Sequence, residues 1–240
     1  SHGGLSTALV HDLVVPQVDA EFSRDLGDLV FVASKVSTLP VGWEKSFFIS
    51  PAGVAARNIQ VASRGRFIAA VFEGADKKAH RIYAALSFDG GKSFFDPIPI
   101  ADVAMGMDHY PYIAVSGSGQ VAVAWQNILP EDAKSRVFYS LSTDMGAPRS
   151  SPSRVYLPSD TELLPMVFYD NRDILHLFYH GQRLGAFTLF HAESPDGKTF
   201  DEPAVLAKVG DLRGAFFPAV HLEGNFIFVV WQGKGDFRGV

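Results

Sequence analysis

The side chains of this chain most able to do chemistry do not fall into any compact catalytic motif. Five histidines, His109, His176, His180, His191 and His221, do not form an HExxH or another compact ligand motif. His176 sits inside an apolar run and reads as a packed core histidine. Asp108-His109-Tyr110 has triad-like residue types, yet no GxSxG nucleophile turn accompanies it. No GxxxxGK[ST] phosphate loop occurs, and Gly117-x-Gly119 is expected as a tight strand turn. Asp170-Asn171-Arg172-Asp173 lacks the spacing of a calcium loop, so a hairpin turn is expected there. With no cysteine, disulfides, thiolate nucleophiles and Cys-ligated metals are excluded. No metal and no cofactor are expected.

Charge narrows the classes of partner. The net charge is -5, and no basic face or polybasic run suits nucleic acid or an anionic membrane. The longest apolar runs, such as Phe226 to Trp231, are far too short to cross a bilayer as a helix. Ser1 and His2 read as a tag remnant and carry no site argument.

What positions the polar residues is a repeat, visible in three markers of one period. A proline opens an alternating strand at Pro111, Pro165 and Pro218, steps of 54 and 53 residues. An aromatic closes an apolar strand at Phe72, Trp125, Tyr179 and Trp231, steps of 53, 54 and 52. A turn holds an aspartate at Asp89, Asp144 and Asp196, steps of 55 and 52. Each unit alternates at period two and is punctuated by Gly, Ser and Asp, which marks strands and their turns. Inner strands such as VAVAW and FIAAVF are apolar on both faces, so both faces must be covered. Sheets of four strands stacked face to face around an axis meet that demand.

The expected architecture is therefore all-β, a β-propeller of four-stranded antiparallel blades. About four blades plus a partial fifth fill residues 3–240, with approximate bounds 14–55, 56–107, 108–161, 162–212 and 213–240. The last unit stops after its second strand. A long unpaired edge is a liability, so the chain is expected either to close on its N-terminal strands or, preferably, to be part of a larger propeller.

Ser87-Phe88-Asp89-Gly90-Gly91-Lys92-Ser93-Phe94 follows a Ser-x-Asp-x-Gly-x-Ser/Thr-aromatic pattern, Ser194-Pro195-Asp196-Gly197-Lys198-Thr199-Phe200 is one residue shorter but keeps Asp, Gly, Lys, Thr and Phe, and Ser142-Thr143-Asp144-Met145-Gly146 is a degenerate copy. The aspartate accepts turn N–H groups, glycine takes positive φ, and the aromatic pins the sheet. This pattern resembles the Asp box, or bacterial neuraminidase repeat, of the sialidase superfamily, over roughly residues 55 to 235. The resemblance implies that Asp89, Asp144 and Asp196 are structural and lie away from the ligand face. It also implies, for a catalytic member, an arginine triad clamping a carboxylate, a tyrosine nucleophile paired with a glutamate, and an aspartate acid. The expected Phe/Tyr-Arg-Ile-Pro sequence is missing; Ala56-Arg57-Asn58-Ile59 is the nearest. Arg57, Arg183 and Arg213 do not share repeat positions, and Tyr110 with Glu162, or Asp108 or Asp76 as acid, match the roles only loosely.

At the mouth of such a propeller the repeat places Arg57, Asn58, Glu73, Asp76, Asp108, His109, Tyr110, Gln126, Asn127, Glu162, His180, Gln182, Arg183, Arg213, Gln232 and Asp236. From this ring the expected ligand-binding residues are Arg57, His109, Tyr110, Gln126, Asn127 and His180, with no catalytic residue. The expectation is a non-catalytic recognition module for a glycan or protein ligand. The alternative is a glycoside hydrolase of the exo-sialidase type completed by blades outside this chain. By resemblance the protein is expected to be exported.

Overall fold

A computed structural model describes residues 47–75, 80–100, 106–131, 133–145, 150–155, 160–183, 186–207, 215–223 and 226–233. Most of the expected first blade, and the candidates Asp76, Arg213 and Asp236, lie outside the described residues. Among those residues there is no helix, and all regular structure is strand. The all-β expectation is met.

Three consecutive meanders repeat one plan. β1 (Ala55–Arg64), β2 (Phe67–Ala75), β3 (His80–Ser87) and β4 (Ile98–Pro99) form the first four-stranded sheet, in chain order. β5 (Met107–Val115), β6 (Val121–Ile128), β7 (Ser135–Ser142) and β8 (Ser153–Arg154) form the second, and β9 (Thr161–Tyr169), β10 (Leu175–Arg183), β11 (Ala186–Ser194) and β12 (Ala204–Ala207) the third. β13 (Ala215–Glu223) and β14 (Phe226–Gly233) make a two-stranded sheet. Every pairing is antiparallel. The first strands lie side by side, β1 against β5 and β5 against β9.

The two-faced apolar strands are explained by the stacking. Val121, Val123 and Trp125 of β6 pack with Ala69, Val71 and Ile82 of the first sheet. The other face of β6, Ala122 and Ala124, packs with Leu175, Leu177 and Tyr179 of the third. Small residues such as Ala122 and Ala124 on one sheet face large ones on the next, so the layers interdigitate. Trp125 is wholly buried, and truncating it to alanine would cost about 3–5 kcal/mol.

The prolines require one correction. They do not open the first strands but lie inside them, at a bulge. In β1, β5, β9 and β13 the ladder skips two residues against one on the partner, between Arg57 and Gln60, His109 and Tyr112, Leu163 and Met166, and Phe216 and Ala219. The skipped pairs are Asn58-Ile59, Tyr110-Pro111, Leu164-Pro165 and Phe217-Pro218; the single residues opposite are Phe72, Trp125, Tyr179 and Trp231. The proline and aromatic markers are thus the two halves of one β-bulge. A bulge suits proline because the extra residue is out of the hydrogen-bond ladder. Asn58, Tyr110 and Leu164 take φ of 52°, 50° and 50°, left-handed values that non-glycine residues adopt at a cost.

The aspartate turns are built as their chemistry requires. Asp89 Oδ1 accepts the Ser87 hydroxyl at 2.8 Å and the Ser93 N–H at 3.0 Å, and Oδ2 accepts the Ser93 hydroxyl at 2.6 Å. Gly91 N–H donates to Ser87 Oγ with glycine φ at 87°. Asp196 Oδ1 likewise accepts Ser194 Oγ–H and the N–H groups of Lys198 and Thr199. These bonds stabilise the carboxylates, holding Asp89 well below the usual range and Asp196 down at about 2. Phe94 packs with Ile49, Ala56 and Phe72, and Phe200 meets Tyr139 edge-on.

Candidate functional site

The bulges aim side chains at the place where the first strands converge. A cavity of about 230 Å³ lies there, lined by Asn58 and Gln60 of β1, Tyr110, Pro111 and Tyr112 of β5, Leu164, Pro165 and Met166 of β9, and Pro218 of β13. All three left-handed bulge residues, Asn58, Tyr110 and Leu164, line it. Tyr110 is 44% exposed. The wall thus combines an open aromatic ring, two amides and a proline-rich apolar floor.

Behind the Asn58 and Tyr110 side of this wall stands a buried ionic node. Glu73 is wholly buried and lies across the ladder from Arg57. Its Oε1 accepts Arg57 Nε–H at 2.6 Å and lies 3.0 Å from His109 Nδ1 and 3.4 Å from His80 Nδ1. Its Oε2 accepts Asn58 Nδ2–H at 2.9 Å and the Tyr110 backbone N–H at 3.4 Å. Burial pushes Glu73 up, but the bonds from His109, Asn58 and Arg57 outweigh it and hold the carboxyl at about 2. The Arg57 guanidinium, 52% exposed, is already engaged by this carboxylate.

Register makes Glu73, Gln126, His180 and Gln232 equivalent, since they pair with Arg57, His109, Leu163 and Phe216. Gln126 does what Glu73 does: its Oε1 accepts the Leu164 N–H at 3.2 Å, as Glu73 accepts the Tyr110 N–H. β2 and β6 each so clasp the bulge of the next sheet. Gln126, Asn127 and His180 are buried, at 5%, 1% and 2% exposure. Asn127 donates Nδ2–H to Asp108 Oδ1 at 2.8 Å, and the Trp125 indole N–H donates to the same oxygen at 2.8 Å. Asp108 and Glu162 take one repeat position, two residues before the bulge. Both are buried, at 2% and 0%. Burial pushes Asp108 up to about 6 despite the bonds from Asn127 and Trp125, and pushes Glu162 up to about 7 although it accepts the Val137 N–H at 3.0 Å.

Of the six expected ligand residues, Tyr110 lines the cavity. Arg57 and His109 sit on the ionic node beside it, and Gln126, Asn127 and His180 form a buried layer between sheets. His80, Gln60, Leu164 and Met166 were not singled out from sequence. Gln60 and Met166 are two residues past a bulge residue on their strands, a signal that needs the bulge to be known. Asp170 and Asp173 shape the expected hairpin turn. Asp170 Oδ1 accepts the N–H groups of Arg172 and Ile174, and Asp173 reaches across to the N–H groups of Gly117 and Ser118 at 2.6 and 2.9 Å.

Two groups gather nitrogen and oxygen ligand atoms closely: Glu73, His80 and His109, and His176, His191 and Glu193. In the first, Arg57 Nη2 lies 2.6 Å from Glu73 Oε1 and 3.2 Å from His80 Nδ1, so a cation already engages two of the three ligand atoms.

No protein-family model matches the chain, and no curated protein matches it by sequence. Solved structures match it in fold. The GH93 α-L-arabinofuranosidase of Fusarium graminearum, in complex with arabinobiose, superposes with a TM-score of 0.58 at 18% identity over 78% of this chain and 59% of that one. A Hadza microbial sialidase gives a TM-score of 0.55 at 14% identity over 73% of this chain and 42% of its own. A family PL25 ulvan lyase, bound to an oligosaccharide of glucuronic acid and sulfated rhamnose, gives 0.52 at 10% identity, over 82% and 57%. The fold is that of a sialidase-like β-propeller, and this chain spans less than two thirds of each of these three proteins.

Proposed function

We propose that this chain is a carbohydrate-recognition module of the sialidase-like propeller type, non-catalytic in itself, which holds a sugar at the axial cavity. One observation carries the proposal: the cavity wall offers an exposed tyrosine and two amides, while the nearby carboxylates are already engaged, Glu73 and Glu162 across sheets and Asp108 within its own. An aromatic face packs against the C–H face of a pyranose or furanose ring, and amides read its hydroxyls. Glu73 is neutralised by Arg57, and Asp108 and Glu162 are shielded by the sheets. The sugar complexes of the arabinofuranosidase and the ulvan lyase support the same ligand class. Arg57 and His109 would form the polar rim beside Tyr110. Gln126, Asn127 and His180 would support it from behind. The aspartate turns, read as Asp boxes, would lie on the other face, and an exported protein would meet such glycans.

The alternative, a glycoside hydrolase completed by other blades, is favoured by the raised Asp108 and Glu162, since perturbed carboxyls gather at catalytic sites. Glycan-array binding of the wild type and of Tyr110→Ala and Asn58→Ala decides the first reading. Both variants should lose at least roughly tenfold in affinity, about 1.4 kcal/mol. Unchanged binding by both would remove the cavity from consideration. Turnover of a fluorogenic sialoside or arabinofuranoside that disappears in Asp108→Asn would favour the hydrolase instead.

A further inference from the structure

A second site lies on the face of the third sheet turned toward β13 and β14. His176 of β10 pairs across the ladder with Glu193 of β11, and Phe178 pairs with His191. His176 and His191 therefore come from neighbouring strands, and their rings meet edge to edge, centroids 5.2 Å apart with 11° between planes. His176 Nδ1 lies 2.9 Å from His191 Nε2 and 3.6 Å from Glu193 Oε1, and His191 Nε2 lies 4.0 Å from the same oxygen. A triangle with these sides has its centre about 2.1 Å from every corner, the length of a zinc–nitrogen or zinc–oxygen bond. Unlike the Glu73 group, no guanidinium stands at this point among the described residues. Arg172 is turned to Asp170, 2.8 Å away.

The surroundings point the same way. His176 is almost wholly buried, and its Nε2 has no hydrogen-bond partner. That atom lies 3.7 Å from Asp170 Oδ2. A small rotation would let Nε2–H donate to this carboxylate, which fixes the tautomer that leaves the Nδ1 lone pair available to a ligand. Metal-ligating histidines are commonly oriented this way. His176 and Glu193 also line a cavity of about 400 Å³ whose other wall includes Leu222, Phe226 and Ile227, leaving room for a fourth ligand.

We propose that His176, His191 and Glu193 form a binding site for a divalent transition metal of the zinc class, with water or an external ligand in the fourth position. Two imidazoles and one carboxylate suit zinc better than calcium or magnesium, which prefer all-oxygen sets. Without metal, His191 Nε2–H donates to His176 Nδ1; metal binding breaks that bond and shifts the His191 proton to Nδ1. The site is independent of the axial cavity.

Equilibrium dialysis against zinc chloride tests it, with circular dichroism confirming the fold of each variant. The wild type should retain one zinc per chain, and His80→Ala, which alters only the other cluster, should retain the same. His191→Ala and Glu193→Gln should each weaken binding by roughly tenfold or more. Glu193 is 39% exposed at its side chain, so Glu193→Gln should fold normally even if His191→Ala does not. A wild type that takes up no zinc, or a folded Glu193→Gln that binds as tightly as wild type, overturns the proposal. So does zinc lost in His80→Ala but kept in Glu193→Gln.

Discussion

Three buried carboxyls set opposite pH dependences on this molecule. Glu73 is held at about 2 in the folded chain, below its ordinary value of 4.5. Its stabilisation is present above that ordinary value and is lost as pH falls toward 2. Asp108 and Glu162 behave the other way, raised to about 6 and about 7. Between pH 4 and 7 the folded chain keeps protons that the unfolded chain has released, so stability falls as pH rises. At 1.36 kcal/mol per pKa unit, each contributes a loss of about 3 kcal/mol, complete above its folded value. Asp108→Asn and Glu162→Gln keep the accepting oxygens without the charge. Both variants should exceed the wild type in urea midpoint at pH 8 and lose that advantage at pH 4. Equal pH profiles for wild type and variants would show that the carboxyls are not buried as described.

At the scale of elements, the sheets are joined by clasps as well as by side-chain packing. Glu73 takes the Tyr110 N–H, Gln126 takes the Leu164 N–H, and Asp173 takes two N–H groups of the β5–β6 turn. Each closes a donor that a bulge or turn leaves outside its own ladder. Gln126→Ala leaves the part-buried Leu164 N–H without its acceptor and should cost about 1–3 kcal/mol. Gln126→Met, similar in length but without the acceptor, should cost about the same. Hydrogen exchange at the Leu164 amide should speed up in both variants while amides at the centre of β10 stay protected. Should Leu164 exchange at the wild-type rate, the clasp is not a stabilising contact.

At the scale of the whole molecule, stacking is uneven. The three four-stranded sheets cover one another's faces, whereas β14 presents Phe226, Phe228 and Val230 at 69%, 53% and 66% exposure. Its other face carries Val229, which packs on Leu189. An exposed apolar row on a strand promotes association. Phe228→Ser with Val230→Thr should reduce binding of a hydrophobic dye and slow aggregation, with the unfolding midpoint moved by less than about 1 kcal/mol. A large drop in midpoint would mean that the row is packed in solution.

The sequence by itself determined the period, the strand content, the burial of both faces of the second strands and the turn chemistry of Asp89 and Asp196. All of these are local: alternation, a serine two residues before an aspartate, a glycine at positive φ. Proline and aromatic markers were equally visible, but their meeting at one bulge was not, because it depends on a register set across the hairpin. Only the tertiary structure decided which polar residues of the mouth reach solvent. Tyr110 and Gln126 come from neighbouring strands of one sheet, yet one lines a cavity and the other is sealed under the next sheet. The same holds for His176 and His191, fifteen residues apart in sequence and nitrogen to nitrogen across one ladder. Spacing along a chain reports which face of a strand a residue occupies; what covers that face depends on partners fifty residues away.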